Sequence, residues 1–233
     1  MGSIALVGGD EFRSDCEPMD RALLAGIERQ PPRVVIIPTA AARQGPAIAA
    51  KNGERWFSRL GAQTSALMIV SELEASDPKQ LAALDHADMI YLTGGDPALL
   101  LRILRGSAFA EALRRRAHAG ALIAGSSAGA MVLGAAMRYG GADWTPTLGL
   151  TPRVAVLPHH SETPRADWQA LRASLSAIAH DATPLGIPTA TACVSADDTA
   201  EWRVVGAHPV TVYEASGPRQ VAPGERFTPA PTS

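Results

Sequence analysis

The feature that most constrains the fold is a series of short apolar runs that are continuous rather than alternating. "IALV", "VVII" and "MIYL" are examples, and each leads into a glycine or proline turn and then into residues with helical spacing. A continuous run indicates a strand covered on both faces, as in a parallel sheet. Strands that alternate with helices indicate a doubly wound arrangement. We therefore predict an α/β fold with a mostly parallel sheet and helices on both faces.

The pattern changes after residue 150, where short β-rich runs follow one another with few helical residues between them, apart from residues 166–179. The runs "EWRVVGA" and "PVTVYEA" predict a small C-terminal β hairpin turned at residues 206–209. We expect a single domain over residues 1–217 and a loose, Pro-rich tail over residues 218–233.

Composition and charge exclude several classes of protein. The chain has 233 residues and a formal net charge of −2, so no basic excess points to a nucleic-acid partner. No run approaches the roughly eighteen apolar residues of a membrane span, so we expect no membrane partner. Cys16 and Cys193 are the only cysteines, too few for a disulfide framework or a four-thiolate metal site. We expect a cytoplasmic protein without metal or organic cofactor, and leave a homodimer open.

Glycine-rich turns follow at least three of the predicted strands. They are Gly8-Gly9-Asp10, Gly94-Gly95-Asp96 and residues 125–129, "GSSAG". Turns at the carboxyl ends of parallel strands converge on one crevice, which predicts a site there. A phosphate or dinucleotide site has little support, because neither GxGxxG nor GxxxxGK[ST] occurs.

The third turn matches GxSxG, with Gly125, Ser127 and Gly129 at the fixed positions. This pattern is typical of a sharp strand-to-helix turn that exposes a nucleophilic serine. Glycine suits both ends because such a bend leaves little room for Cβ atoms. The N–H of Ala128 and one from Gly94-Gly95 are candidate oxyanion donors. The other interpretation is that the serines are merely small residues at a strand–helix junction.

A nucleophilic serine needs a base, and "VAVLPHH" places His159 and His160 at the end of an apolar run. His86, His118 and His180 lie on or near predicted helices, and His208 lies in the predicted hairpin turn. The pattern does not decide which of the paired histidines points inward, and a solvated histidine pair in a loop is the other interpretation.

Together these motifs resemble the aspartyl dipeptidase (dipeptidase E) and cyanophycinase family of serine peptidases, whose fold is like that of the class I glutamine amidotransferases. The resemblance covers roughly residues 3–215 and rests on "GGDEF", "VVIIPTAAA", "YLTGGDP", "AGSSAGAMVLG", "LPHH" and "VVGAHPVTVYE". It implies that Ser127 is the nucleophile and His159 the base. It also implies that Gly95 and Ala128 donate to the oxyanion, and that Asp143 is a triad partner.

The resemblance implies further residues of the substrate site. They are Gly94, Asp96, His160, which takes an aromatic place after His159, and Arg165, which corresponds to a basic residue of the cyanophycinase branch. Ser126 matches the variable residue before the nucleophile. The substrate that the resemblance implies is a small peptide, cleaved at an amide bond next to an acidic N-terminal residue.

The sequence departs from the family at Thr189, where relatives usually carry a glutamate. A threonine hydroxyl can hydrogen-bond a histidine but cannot supply the negative charge that stabilises an imidazolium. We expect Asp143 to replace that charge; Glu162, Asp197 and Asp198 are other candidates. The alternative is a catalytically impaired relative that binds a small ligand in the same pocket.

Overall fold

The computed structural model describes residues 2–141, 143–161, 163–195 and 200–230. Its strands are β1 (Ile4–Val7), β2 (Arg33–Ile37), β3 (Gln63–Ala66), β4 (Met89–Leu92), β5 (Leu122–Ser126), β6 (Ala136–Met137), β7 (Thr145–Pro146), β8 (Val154–Leu157), β9 (Thr183–Gly186), β10 (Thr191–Ser195), β11 (Trp202–Gly206), β12 (Val210–Glu214), β13 (Gly217–Val221) and β14 (Arg226–Phe227). Its α-helices are α1 (Glu17–Ala25), α2 (Pro46–Arg59), α3 (Pro78–Leu81), α4 (Pro97–Leu104), α5 (Ala108–His118), α6 (Ala128–Leu133) and α7 (Trp168–Ser176).

The centre of the fold is an eight-stranded sheet with the order β14-β11-β10-β1-β5-β4-β2-β3. The five neighbouring strands β1, β5, β4, β2 and β3 pair in parallel. On the other side of β1, the strands β10, β11 and β14 are added by antiparallel pairing. This confirms the predicted α/β fold with a mostly parallel sheet. Because parallel strands run in one direction, the turns after β1, β4 and β5 lie at the same edge of the sheet.

Residues of the central strands alternate between two hydrophobic cores, which explains why their apolar runs are continuous. In β4, Ile90 and Leu92 pack into the core on one face, and Met89 and Tyr91 pack into the core on the other. All four side chains are fully buried. A strand that is covered on both faces has no position for a polar residue.

The helices follow local signals in the sequence. Asp96 caps α4 by accepting hydrogen bonds from the N–H groups of Ala98 and Leu99. The stretch "LLLRILRGSAFAEALRRRAHAG" has the sequence of one continuous helix, but it forms the end of α4 and then α5. The helix is interrupted because Gly106 has a φ of +70° and Ser107 caps a new helix at the N–H of Ala110.

The C-terminal region differs from the sequence prediction. The hairpin predicted at residues 206–209 is wrong, because β11 pairs with β10 and β14 while β12 pairs with β9 and β13. Gly206, with a φ of +123°, turns the chain out of the large sheet. The small hairpin is instead β12–β13, in a four-stranded sheet of order β13-β12-β9-β8.

Residues 218–230 belong to the fold, so the predicted loose tail is wrong for the described part of that segment. Strand β14 pairs with β11, and the side chains of Val221 and Phe227 are buried. The carbonyl oxygen of Ala230 accepts a hydrogen bond from Thr183 Oγ1. The proline-rich sequence hides these strands because each of them, β13 and β14, has only one buried residue.

Within the described residues, no helix is both long enough and apolar enough to cross a membrane.

A buried carboxylate lies between the sheet and two helices. Asp20 of α1 is fully buried, and its Oδ2 accepts a hydrogen bond of 2.8 Å from Trp56 Nε1 of α2. Its Oδ1 has no hydrogen-bond partner among the described residues. Burial, together with the charge of Glu11, raises the pKa of Asp20 from 3.8 to about 7.

We expect Asp20→Asn to remove a pH-dependent loss of stability. Between about pH 4 and 7 the folded protein keeps a proton on Asp20 that the unfolded chain has released, so wild-type stability falls as the pH rises through this range. The free energy of unfolding of the variant relative to wild type should therefore increase by up to about 4 kcal/mol over that range and then stay constant. Urea unfolding at pH 4 and pH 8 measures this difference.

Asp15→Asn, on the exposed surface of the same segment, is the matched control. A constant offset is expected for Asp20→Asn because the new amide has an unpaired N–H group, and this offset does not depend on pH. Parallel pH profiles for wild type and Asp20→Asn would contradict the raised pKa.

Candidate active site

Ser127 lies on a strained turn between β5 and α6. Its φ and ψ are 48° and −106°, values that few residues other than glycine adopt. Its N–H donates to the carbonyl oxygen of Val7 at 2.9 Å. A Cβ atom on Gly125 would lie 2.5 Å from the carbonyl carbon of Gly129, and one on Gly129 would lie 2.5 Å from the carbonyl oxygen of Leu92. Both glycines of the motif are therefore needed for steric reasons.

His159 follows β8 and reaches the serine. Its Nε2 lies 2.9 Å from Oγ of Ser127, within hydrogen-bond distance. Its backbone also has a positive φ, of 50°, and its N–H donates to the carbonyl oxygen of Gly8 at 2.8 Å. The imidazole packs on Gly9, where a Cβ atom would lie 2.2 Å from its Cε1. The first glycine-rich turn therefore provides the surface on which the histidine ring rests.

Gly95 and Ala128 present N–H groups that none of the described hydrogen bonds uses. Gly95 has a φ of +140°, and a Cβ atom there would lie 2.4 Å from the carbonyl oxygen of Ala40. Ala128 directly follows Ser127, as an oxyanion donor after a nucleophile does.

The neighbours of Gly95 have structural partners of their own. The N–H of Gly94 donates to Oε1 of Glu11 at 2.7 Å, so it is not free for a substrate. The carboxylate of Asp96, which was predicted to line the substrate site, accepts the N–H groups of Ala98 and Leu99. The N–H of Asp96 donates to Ala40.

No described residue accepts a hydrogen bond from Nδ1 of His159. Asp143, the predicted triad partner, is exposed and makes no described hydrogen bond or ion pair, so its role stays a prediction. Glu162, Asp197 and Asp198 lie outside the described residues.

Thr189, at the position of the family glutamate, is half-buried, and its carbonyl oxygen accepts a hydrogen bond from Thr191 Oγ1. It makes no described bond to His159. The loop that carries it is nevertheless near His159 in space, because a Cβ atom on Gly8 would lie 1.8 Å from the carbonyl oxygen of Pro188. The loop that carries Thr189 therefore packs on the residue that binds the backbone of His159.

His160 points away from the serine, into the small sheet. Its Nε2 lies 2.8 Å from the hydroxyl of Tyr213, which also accepts the N–H of Arg165 at 2.8 Å. Burial, and then the charge of Arg165, lowers the pKa of His160. The guanidinium of Arg165 forms a two-bond pair with Asp167, at 2.8 and 2.7 Å. The structure therefore separates the two histidines: His159 lies against Ser127, whereas His160 shares the hydroxyl of Tyr213 with the N–H of Arg165.

Sequence reasoning missed Glu11. Its Oε2 accepts a hydrogen bond of 2.7 Å from Oγ of Ser126, in addition to the bond from Gly94. The signal was present in "GGDEF", because an acidic residue that ends a glycine-rich turn after a strand lies at the edge where the other turns meet.

The described residues contain no group of three or more histidine, cysteine, aspartate or glutamate side chains that could hold a metal ion.

Comparison with known proteins identifies relatives over nearly the whole chain. The sequence model of peptidase family S51 matches residues 4–202. The crystal structure of a peptidase from an acI-B1 Actinobacterium is 27% identical, with 98% of this chain and 97% of that chain covered and a TM-score of 0.82. A Listeria monocytogenes EGD-e protein assigned as a peptidase E has a similar fold, with 20% identity, 89% and 99% coverage and a TM-score of 0.62. None of the curated proteins compared with the chain matches it significantly.

We expect Gly9→Ala to displace the ring of His159, because the new Cβ atom would overlap it. The hydrogen bond to Ser127 should then be lost, and reaction of Ser127 with a fluorophosphonate should slow by about tenfold or more. Labelling followed by intact-mass spectrometry measures this rate.

Gly217→Ala is a matched control for backbone strain. Gly217 has a φ of +133°, against +131° for Gly9, but a Cβ atom on it would meet nothing within 4 Å. Equal slowing in both variants would attribute the effect to strain and contradict the role of Gly9 as the support of the ring.

Proposed function

The chain belongs to peptidase family S51, and we propose that it cleaves a small peptide at an amide bond with Ser127 as nucleophile and His159 as base. The family and its structural neighbours make the protein a peptidase. The observation that carries the assignment of the residues is the 2.9 Å separation between Nε2 of His159 and Oγ of Ser127. This is the nucleophile–base contact that acyl transfer by a serine requires.

The acylation step follows from this contact. Neutral His159 takes the proton of Ser127 at Nε2 while Oγ forms a bond to the substrate carbonyl carbon. The carbonyl π electrons move to oxygen and give a tetrahedral oxyanion. When the C–N bond breaks, the amine leaves with the proton from Nε2, and the acyl group stays on Ser127 as an ester. Water then attacks the ester with His159 as base, and the acid product is released.

The unused N–H groups of Gly95 and Ala128 support a role as oxyanion donors. Ala128 directly follows the serine, Gly95 lies in the turn after the neighbouring strand β4, and neither N–H has a competing acceptor among the described residues. Donors that are fixed before the reaction stabilise the developing charge without reorganisation. The positive φ of Ser127 supports the same proposal, because strain at one residue of a site is typical of a position kept for function.

The imidazolium formed during the reaction is stabilised by solvent in this proposal. His159 is exposed, so water can accept the hydrogen bond from Nδ1. Asp143 is a further candidate, through movement of its exposed segment. For the substrate, we extend the proposal to a short peptide with an acidic N-terminal residue, on the resemblance of the motifs to the aspartyl dipeptidases.

We expect Ser127→Ala to abolish both labelling by a fluorophosphonate and hydrolysis of aspartyl dipeptides. The Oγ atom that forms the acyl bond is then absent, so the loss should be about a thousandfold or more. His159→Gln should give a loss of similar size, because the base is removed while the shape is nearly kept. Product release, followed by liquid chromatography, measures the hydrolysis.

Ser58→Ala is the control, since Ser58 is an exposed serine on α2. Equal labelling of wild type and Ser127→Ala would refute the nucleophile. Faster hydrolysis of alanyl than of aspartyl dipeptides would refute only the acidic specificity.

A second candidate function is binding without efficient turnover, and it is favoured because no residue that the structure describes accepts a hydrogen bond from Nδ1 of His159. Without a carboxylate at position 189, the imidazolium has only weak stabilisation. The pocket would then hold a peptide-like ligand at the same turns. The two functions differ in turnover and not in the residues that contact the ligand.

Thr189→Glu distinguishes the two candidates. A carboxylate on the loop that packs against Gly8 should approach Nδ1 of His159 and raise turnover, and Thr189→Gln supplies a control of equal size without charge. If wild type is a working peptidase, it hydrolyses the dipeptides substantially and the variant gains less than about tenfold. Activity that appears only in Thr189→Glu would favour the binding function.

A further inference from the structure

Glu11 joins two of the turns that form the site. One carboxylate oxygen accepts from the N–H of Gly94, and the other from the hydroxyl of Ser126, each at 2.7 Å. Gly94 directly precedes Gly95, and Ser126 directly precedes Ser127. A single side chain therefore holds the residue before a proposed oxyanion donor and the residue before the proposed nucleophile.

Gly94 and Gly95 have no side chains with which to hold their turn in one conformation. Two consecutive glycines lose more conformational entropy on ordering than other residues. The carboxylate of Glu11 packs directly on this turn, since a Cβ atom on Gly94 would lie 3.0 Å from Oε1. At the other end of the tether, Ser126 is completely buried.

Within the described residues, ion pairing does not explain the presence of Glu11. Asp20 and the hydroxyl of Tyr91 lie close enough that the charge of Glu11 contributes to raising the pKa of both groups. Among the described residues, no lysine, arginine or histidine forms an ion pair with Glu11. A carboxylate that has no counter-ion and lies near another acid contributes little to the stability of the fold. The two hydrogen bonds that Glu11 accepts therefore explain its presence better.

We propose that Glu11 is a positioning residue for the reaction, which keeps the Gly94-Gly95 turn and the Ser126-Ser127 turn in register with each other. The proposal rests on the function proposed for Ser127 and Gly95. Both carboxylate oxygens of Glu11 accept hydrogen bonds from these two turns, so we assign it a positioning role rather than a contact with the substrate. Its effect is on the distance between the nucleophile and the oxyanion donor.

Two substitutions separate position from charge. Glu11→Ala removes both acceptors, so the two turns are no longer joined. Glu11→Gln keeps an oxygen for the N–H of Gly94, and its amide can donate to the hydroxyl of Ser126, which is able to accept. Ser126→Ala removes one of the two bonds. Glu17→Ala is the matched control, because Glu17 only pairs with Arg21 and Arg59 at the surface of the same segment.

The measurement is the saturation kinetics of fluorophosphonate labelling, in which Oγ of Ser127 bonds to phosphorus and fluoride leaves; it gives the binding constant of the reagent and the rate constant of phosphonylation separately. Glu11→Ala should lower the rate constant by about tenfold or more while the binding constant changes by less than about twofold. Ser126→Ala should lie between Glu11→Ala and wild type. Glu11→Gln should stay within about threefold of wild type, and Glu17→Ala should equal it.

Two results would overturn the proposal: a folded Glu11→Ala that is phosphonylated at the wild-type rate, or a Glu11→Gln that is as slow as Glu11→Ala. The second result would assign the effect to charge. If Glu11→Ala does not fold, the labelling rates of Glu11→Gln and Ser126→Ala test the proposal instead. It is then overturned if Ser126→Ala reacts at the wild-type rate or if Glu11→Gln is slower than Ser126→Ala.

Amide hydrogen exchange at Gly94, followed by NMR on protein labelled with ¹⁵N-glycine, separates this proposal from the proposed function. Exchange should be slow in wild type and Glu11→Gln and faster by about tenfold or more in Glu11→Ala. Wild-type protein that resists labelling, yet shows this exchange pattern, would refute the nucleophile and leave the tether standing. Equal exchange in all three proteins would refute the tether.

Discussion

The turn that follows the first strand holds the parts of the site together. The carbonyl oxygens of Val7 and Gly8 accept the N–H groups of Ser127 and His159, and Gly9 supports the imidazole. Glu11 then reaches the two remaining turns. Since β1 lies between β5 and β10 in the large sheet, this turn is central. The positions of the proposed nucleophile and base therefore both depend on one short stretch of backbone.

The parts of this arrangement that arise from local sterics could be predicted from the sequence. Continuous apolar runs predicted a buried parallel sheet. The prediction succeeds because successive side chains of a strand such as β4 point alternately into two hydrophobic cores, so every position must be apolar. The GxSxG pattern predicted a crowded bend, and the contacts that Cβ atoms would make at Gly125 and Gly129 account for it. In both cases, a residue's own size or polarity limits where it can be.

Other parts depend on contacts between distant segments, for which the sequence carries no local signal. Glu11 binds residues 83 and 115 positions further along the chain. The separation of β11 and β12 into different sheets depends on which partner strands lie nearby, although their sequences alone resemble a hairpin. The choice between His159 and His160 was likewise decided by Gly9 and Tyr213, which lie on other elements.

The shared anchoring on β1 has a consequence for the timing of activity during synthesis. The N–H groups of Ser127 and His159 donate hydrogen bonds to the carbonyl oxygens of Val7 and Gly8. These bonds join an early part of the chain to residues that leave the ribosome much later. In the proposed function, an incomplete chain that ends before residue 159 has the nucleophile but lacks the base. Hydrolysis by Ser127 and His159 would therefore begin only once residue 159 has been made and its N–H has met the carbonyl oxygen of Gly8, and shorter or unfolded copies would not cleave the peptides around them.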